Sequence, residues 1–409
     1  MSILVAIAGL ALLIVIHEAG HFLVALAVRV RPRSFYIGFP FPALAKTTRR
    51  GIEYGIGAIP LGGMVRIPGM HRPAPSDLDL HFGGVQFEAP ALVAPLERMK
   101  RLLEHGDFTT ARDELVPLER AVAAAELSPA AERAARRGLR DLSEALGPDA
   151  YWRQRTWKRI AIIFAGPGAN IVCTLVLLTV VYMVGVPNAA SETVQSVSKG
   201  SPAAAMGLRP GDEIVAVNRE FTANYKAVSR AIRASNGKPV LLSVVRDGIY
   251  QELGPRPTVR IQNHWALGFY VKVHTKKYSA PAAAGRSASD TWRWTKATVS
   301  ALGTIAHGSG RKNVSSPVGI VNASSQAVKV DYRYYLQILA LISLSLALLN
   351  LLPLLPLDGG HIAFSIIEGV RGRAVGRAVY ERVSAIGIAL VLLLFVVGLS
   401  NDIGRLSGG

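Results

Sequence analysis

The chain has one cysteine, Cys173, among 409 residues. A single thiol permits no internal disulfide and no thiolate zinc centre, so any zinc here would have to rest on His, Asp or Glu. Acidic residues are also scarce: 28 Asp and Glu stand against 46 Lys and Arg, a formal net charge of +18. In a soluble protein that surplus would raise nucleic-acid binding. No nucleic-acid motif is present, so no nucleic-acid partner is expected, and attraction to an anionic lipid bilayer accounts for the charge. The N-terminus lacks a basic leader and a small-residue cleavage site, and reads as a retained helix rather than a removed signal peptide. What the chain has in abundance is apolar residues. Half of them are hydrophobic and the mean hydropathy is +0.30, which places it among polytopic membrane proteins.

Four apolar stretches predict membrane segments, at about 2–28, 159–186, 335–370 (interrupted) and 383–400. Basic residues cluster at Arg29, Arg31 and Arg33, at Arg153, Arg155, Lys158 and Arg159, and at Arg371, Arg373, Arg377 and Arg382. By the positive-inside rule these ends are cytoplasmic, leaving both termini and 187–334 outside. The implied location is the inner or plasma membrane, with the reactive groups toward the cytoplasmic side.

The first stretch carries His17, Glu18 and His21 in its second half. Ionisable groups are expensive in hydrocarbon, so such a cluster is a functional signal by default. H-E-x-x-H puts both histidines on one helix face, where they can share a metal, and Glu18 can act as general base toward a water there. The third stretch supplies the partner. Asn350, Pro353 and Pro356 interrupt the helix and Asp358-Gly359-Gly360 follows. His17 lies 12 positions before Arg29 and Asp358 lies 13 before Arg371. At about 1.5 Å per residue both reach a similar depth, roughly 20 Å from the arginines. Two His, one Asp and a water make the open tetrahedral site of catalytic zinc. His361 is expected to support or pack rather than ligate. In the second stretch, Gly166-Pro167-Gly168-Ala169-Asn170 favours close helix packing, and the buried Asn170 needs a partner, either a substrate backbone or another helix.

Residues 34–70 alternate short apolar pieces with Gly and Pro and predict β-hairpins, either dipping toward the membrane or lying on the surface. Residues 71–90 read as a linker. Residues 91–147 read as two or three amphipathic helices, with Ser128-Pro129 as a start signal and Gly147-Pro148 as a stop. His71, His81 and His105 lack metal spacing and are expected on the surface. Residues 287–306 form an amphipathic stretch with Trp292 and Trp294, expected at the interface, and 315–325 reads as a turn.

Within 190–275, SPAAAMGLRPGDEIVAVN at 201–218 predicts a short helix, a turn and a strand. A helix at 224–235 and strands at 240–248 and 266–271 follow. The pattern resembles a PDZ domain in the strand order of bacterial proteases, a module that adds an extended peptide or C-terminus to a sheet edge.

Taken together, HEAGH at 17–21, AGPGAN at 165–170, the PDZ-like unit and NLLPLLPLDGGH at 350–361 resemble the site-2 protease family of intramembrane zinc metalloproteases. The likeness is closest to the bacterial branch with a PDZ domain between the second and third spans. It implies that His17, His21 and Asp358 bind zinc, that Glu18 activates water, and that Asn170 and Asn350 help hold substrate. It implies that the 34–70 region is a membrane-associated β structure that pairs with an unwound substrate segment. The implied partners are single-span membrane proteins already trimmed outside, of the anti-sigma-factor or signal-peptide-remnant type.

Four features depart from the family pattern. Asn350 is followed by prolines three and six positions on rather than three and five, Ser316-Pro317 replaces Gly-Pro, the 91–147 insert is not a general feature, and one PDZ unit is recognisable rather than two. Two other classes compete, a PDZ-bearing scaffold with a silenced metal site and an ion transporter. The intact H-E-x-x-H and Asp358 argue against the first, and the absence of a span repeat argues against the second.

The expected architecture is a polytopic α-helical membrane protein with four transmembrane segments, a membrane-associated β region, a cytoplasmic helical insert and an α+β PDZ domain. Its parts run 1–33 (first span), 34–70 (β region), 71–152 (linker and insert), 153–187 (second span), 188–278 (PDZ), 279–334 (interfacial helix and linker), 335–373 (third span) and 374–409 (fourth span and tail).

Overall fold

A computed structural model describes residues 1–261, 264–306 and 316–407. It divides into two compact units, Met1–Leu178 with Ser287–Gly409, and Thr179–Arg286. Among the described residues four helices are long and apolar enough to cross a membrane: Ser2–Ala27, Thr156–Val184, Tyr332–Asn350 and Val379–Gly404. Most of their side chains are uncovered by protein, sparsest of all in the fourth, as suits helices whose remaining surface meets lipid.

After the first span, strands β1 (Ser34–Arg49) and β2 (Ile52–Arg66) form a long antiparallel hairpin. The hairpin folds back on itself. Phe35 pairs with both Tyr54 and Val65, so 34–37 runs between two segments of β2. The end of β2 is anchored where Ile67 packs with Ala25, Val30, Tyr151, Ile162 and Ile163. This contact holds Gly63 and Val65 beside the first span.

The insert begins earlier than the sequence predicts. Residues 71–90 are not a plain linker: Pro75–Phe82 is helical, with Asp77 accepting from the Ala74 N–H. Leu78, Phe82 and Val85 enter the insert core, an apolar contact that local composition does not reveal. Within 91–147 there are four helices, Val93–His105, Phe108–Asp113, Leu115–Ala124 and Pro129–Leu146, rather than two or three. Ser128 caps the last of them and Pro129 occupies its first turn. Their core runs through Leu92, Leu96, Met99, Leu118, Leu139 and Leu146. Ion pairs fasten the insert to its surroundings: Arg33 to Asp149, Arg66 to Asp141 and Glu144, and Asp77 to Arg377. Burial pushes the Glu144 carboxyl up, opposed by the guanidiniums of Arg66 and Arg33.

The expected turn at 315–325 is instead a helix, Pro317–Val330, with residue 315 outside the described residues. The linker expected around it lies outside them at 307–315. Ser316 is an N-cap with proline next, and Asp402, from the far end of the fourth span's helix, accepts from the Ser316 and Gly319 N–H groups. The second cap arrives from 86 residues away, so local sequence could not show it. Helix Ala280–Ala306 precedes this segment, with Trp292 exposed on it.

In the second unit an antiparallel sheet has the order β10-β3-β4-β6-β7, with β5 added to β4. Its strands are β3 (Val186–Val197), β4 (Glu213–Val217), β5 (Glu220–Phe221), β6 (Pro239–Arg246), β7 (Ile249–Pro257) and β10 (Phe269–Lys276). Strands β8 (Val259–Ile261) and β9 (His264–Ala266) form a separate pair. Helix Tyr225–Ala234 sets Val228 and Ile232 into a core with Val194, Ile214, Val240, Leu242 and Leu267. Buried Asp212 receives two 2.7 Å bonds from Arg246 and one from the Arg209 N–H. Burial raises its carboxyl pKa, but these donors overcome that effect and hold it below the usual range.

Candidate metal centre

Two histidines on one helix face and one carboxylate from a broken helix converge. His17 Nε2 lies 3.1 Å and His21 Nε2 3.4 Å from Asp358 Oδ2. The two Nε2 atoms are 3.2 Å apart. Both rings are buried, at 6% and 7% exposure. Among the described residues this is the group of His, Asp and Glu side chains whose atoms could hold one metal ion.

Each element contributes a geometric condition. The first span places His17 and His21 one turn apart. Helix Tyr332–Asn350 ends at the proline-containing turn, and a new helix starts at Asp358. Asp358 does not cap that helix; Leu357 holds the cap position, and the Asp358 carboxylate turns to the histidines. The turn packs tightly against the glycines, since a Cβ on Gly359 would lie 2.2 Å from the Leu351 carbonyl oxygen. The second span presses in from the side. A Cβ on Gly20 would lie 2.3 Å from the Ala165 oxygen, and one on Gly166 would lie 2.3 Å from His21 Nε2. Small residues there let two backbones meet at the two histidines.

The donor set fits a divalent cation. His21 Nδ1–H donates to the Ile162 carbonyl at 2.8 Å, leaving the Nε2 lone pair facing the site. Asn170 is fully buried with its amide nitrogen 3.4 Å from His17 Nδ1, which leaves its Oδ1 with no hydrogen-bond partner. The two ends of an amide are sterically alike. With Oδ1 turned to His17, it accepts from Nδ1–H and frees the second Nε2 lone pair as well. Asp358 Oδ2 is likewise buried without a hydrogen-bond donor. Two imidazole lone pairs and a carboxylate oxygen facing one another need a cation between them, and zinc accepts this N₂O set with a position left open. Truncating Asn170 to alanine is therefore expected to lower zinc affinity about 10- to 100-fold, measurable by competition with a calibrated chelator.

A chamber of about 310 Å³ opens beside the group, lined by Glu18, Val65, Ile67, Met70, Ile163, Asn350 and His361 among others. Glu18 reaches it next to both histidines, with the Val65 N–H hydrogen-bonded to its carboxylate and Gly63 against its stem. Asn350 also lines the chamber, 3.4 Å from His17 Nε2. Asn170 does not line it; its contact is with His17. His361 lies at the rim, hydrogen-bonded through Nδ1 to the Tyr380 hydroxyl. Of the expected surface histidines, His105 is exposed. His81 pairs with Asp141, and the exposed His71 sets its ring edge-on to Tyr380 at 4.6 Å. The sequence reading missed Met70 and Gly166 as site residues. For Gly166 the signal was present in the small-residue run; for Met70 there was none.

Peptidase family M50 matches residues 5–394 of the chain. Zinc metalloprotease RasP of Geobacillus kaustophilus is 28% identical, covering 96% of this chain and 95% of its own. Relatives provisionally named as zinc metalloproteases stand beside it. One, from Agrobacterium fabrum, is 28% identical over 98% of this chain and 94% of its own. Another, from Neisseria meningitidis, is 28% identical over the whole of both chains. A match that runs from the first span into the last, through every segment that builds the metal group, makes this multi-pass membrane protein a member of peptidase family M50, the site-2 type of zinc metalloprotease.

Proposed function

We propose that the enzyme hydrolyses peptide bonds inside the membrane-spanning segments of single-span proteins that another protease has already trimmed. One observation carries this reading: His17 and His21 lie in a helix long and apolar enough to cross a bilayer, and Asp358, just beyond the turn that ends another such helix, meets them there. A metal held there acts where a substrate helix passes. The substrate class is the anti-sigma-factor or signal-peptide-remnant type, cut in regulated intramembrane proteolysis.

The residues divide the work. An intact substrate helix shields its carbonyls, so the segment must unwind. The last part of β2, at Gly63 to Val65, lies beside Glu18 and offers strand pairing to an extended segment. Asn350, in the chamber wall, holds a substrate backbone group. Asn170 serves His17 instead, which supports a ligand-orienting role over substrate contact. The chemistry that zinc supplies when bound is Lewis acidity, polarising the scissile carbonyl and acidifying a water. Glu18 takes the proton from that water and passes it to the leaving amine.

The basic ends of the spans face the cytoplasm, and unit 179–286 is a PDZ-type module on the opposite side. Its edge strand β10 and the neighbouring helix Tyr225–Ala234 support capture of an extended peptide or a C-terminus. The test is cleavage of a single-span substrate carrying helix-breaking residues by the purified protein in nanodiscs. Cuts mapped by mass spectrometry should fall within the span, stop on chelation and return with zinc. Cuts confined to the flanks would overturn the proposal.

A further inference from the structure

Three cavities meet at one side chain. The metal chamber is the first. A second, of about 400 Å³, is walled by Arg66, Arg72, Arg140, Asp141, Glu144 and Arg377. A third, of about 520 Å³, is walled by Tyr151, Trp152, Arg159, Phe364, Glu368 and Tyr380. Met70 lines all three. His361 lines the chamber and the third cavity.

The physical characters of these boundaries differ. His361 is held by the Tyr380 hydroxyl, and the Tyr380 ring is braced by Phe364 and His71. That side of the rim is fixed. Met70 is unbranched with three soft torsions, so it fills a gap and vacates it with little steric penalty. Charged side chains stand in the walls of both outer cavities beside apolar ones, and the helical insert builds much of those walls: Asp141 and Glu144 in one, Leu103, Glu104 and Phe108 in the other. The ion pairs of Arg66 with Asp141 and of Asp77 with Arg377 hold the insert over this mouth.

Hydrolysis consumes a water and leaves charged chain ends, one carboxylate and one ammonium. Neither water nor a charged end crosses hydrocarbon cheaply, so both need a polar route to the chamber. We infer that Met70 is the gate of that route, and that the helical insert forms the vestibule through which water enters and one product end leaves. The inference rests on the protease reading above and gives the insert a function within it.

The test uses the full chain in nanodiscs and does not depend on turnover. With Cys173→Ser as background, Met70→Cys should react with a charged, membrane-impermeant thiol reagent at least ten times faster than a Leu13→Cys control. Leu13 is buried in the first span. Separately, Met70→Trp should slow zinc loss to aqueous EDTA about tenfold and Met70→Ala should speed it several-fold, while Leu23→Trp, on a lipid-exposed position, leaves it unchanged. A thiol in the Met70→Cys variant that is shielded from the charged reagent would overturn the gate. So would a zinc-loss rate indifferent to both Met70→Trp and Met70→Ala. If Met70→Trp fails to fold, the thiol experiment decides alone. Absence of zinc binding in the parent protein would instead count against the protease reading, because thiol access in Met70→Cys is read without metal.

Discussion

Glu18→Gln is expected to lower the single-turnover cleavage rate about 10³- to 10⁴-fold, the upper range for losing a general base. The amide keeps the size of the carboxylate and can still accept from the Val65 N–H, so the packing against Gly63 survives. What it loses is the ability to take a proton. His17, His21 and Asp358 are untouched, so zinc content by mass spectrometry should match the parent. This separates the variant from Asp358→Asn, which removes a ligand. A rate within tenfold of the parent would remove Glu18 from the proton-transfer role and direct attention to another base in the chamber.

Gly166→Ala is expected to be as damaging by a different route. The added methyl carbon would lie 2.3 Å from His21 Nε2 and 2.8 Å from His17 Nε2, closer than real contacts allow. Either the ligands turn away or the second span backs off. Backing off pulls Ala165 from Gly20 and the Ile162 carbonyl from His21 Nδ1. Both outcomes break the metal group. Zinc affinity should fall at least about 100-fold, the upper range for loss of an orienting partner, and cleavage should disappear with it. Alanine favours a helix by about 1 kcal/mol over glycine, so weakened helix formation would not explain the loss. Gly168→Ala is the control: its Cβ would meet only the Phe164 ring, at 3.3 Å. Zinc titration with hydrogen-exchange protection of helices Val93–His105 and Pro129–Leu146, which lie in the same unit as the metal group, distinguishes a local failure from a global one. Parent-like zinc binding in Gly166→Ala would show that the second span does not press on the ligands.

The sequence by itself determined the parts whose information is local and periodic. H-E-x-x-H is one helical turn, so its two histidines share a face in any fold that keeps the helix. Asp358 stood out because a carboxylate in an apolar run needs a reason, and counting residues to the flanking arginines matched its depth to His17. The four apolar helices followed from length and composition, and the pattern at 201–218 marked its own turn and strand.

Only the tertiary structure decided the rest. Asn170 looked equally suited to substrate and to packing, and its contact with His17 spans 153 positions. At 317–330 the local Ser316-Pro317 start signal was read as a turn, and its second cap, Asp402, comes from 86 residues away. Residues 75–82 were polar enough to pass for a linker until Leu78 and Phe82 found the insert core. Met70 carries no chemistry that a motif could flag; its importance is that three cavities touch it. In each case the deciding energy lies in a contact between segments distant in sequence. Such contacts leave no period or spacing in the chain, because a side chain's partner there is chosen by packing rather than by neighbouring residues.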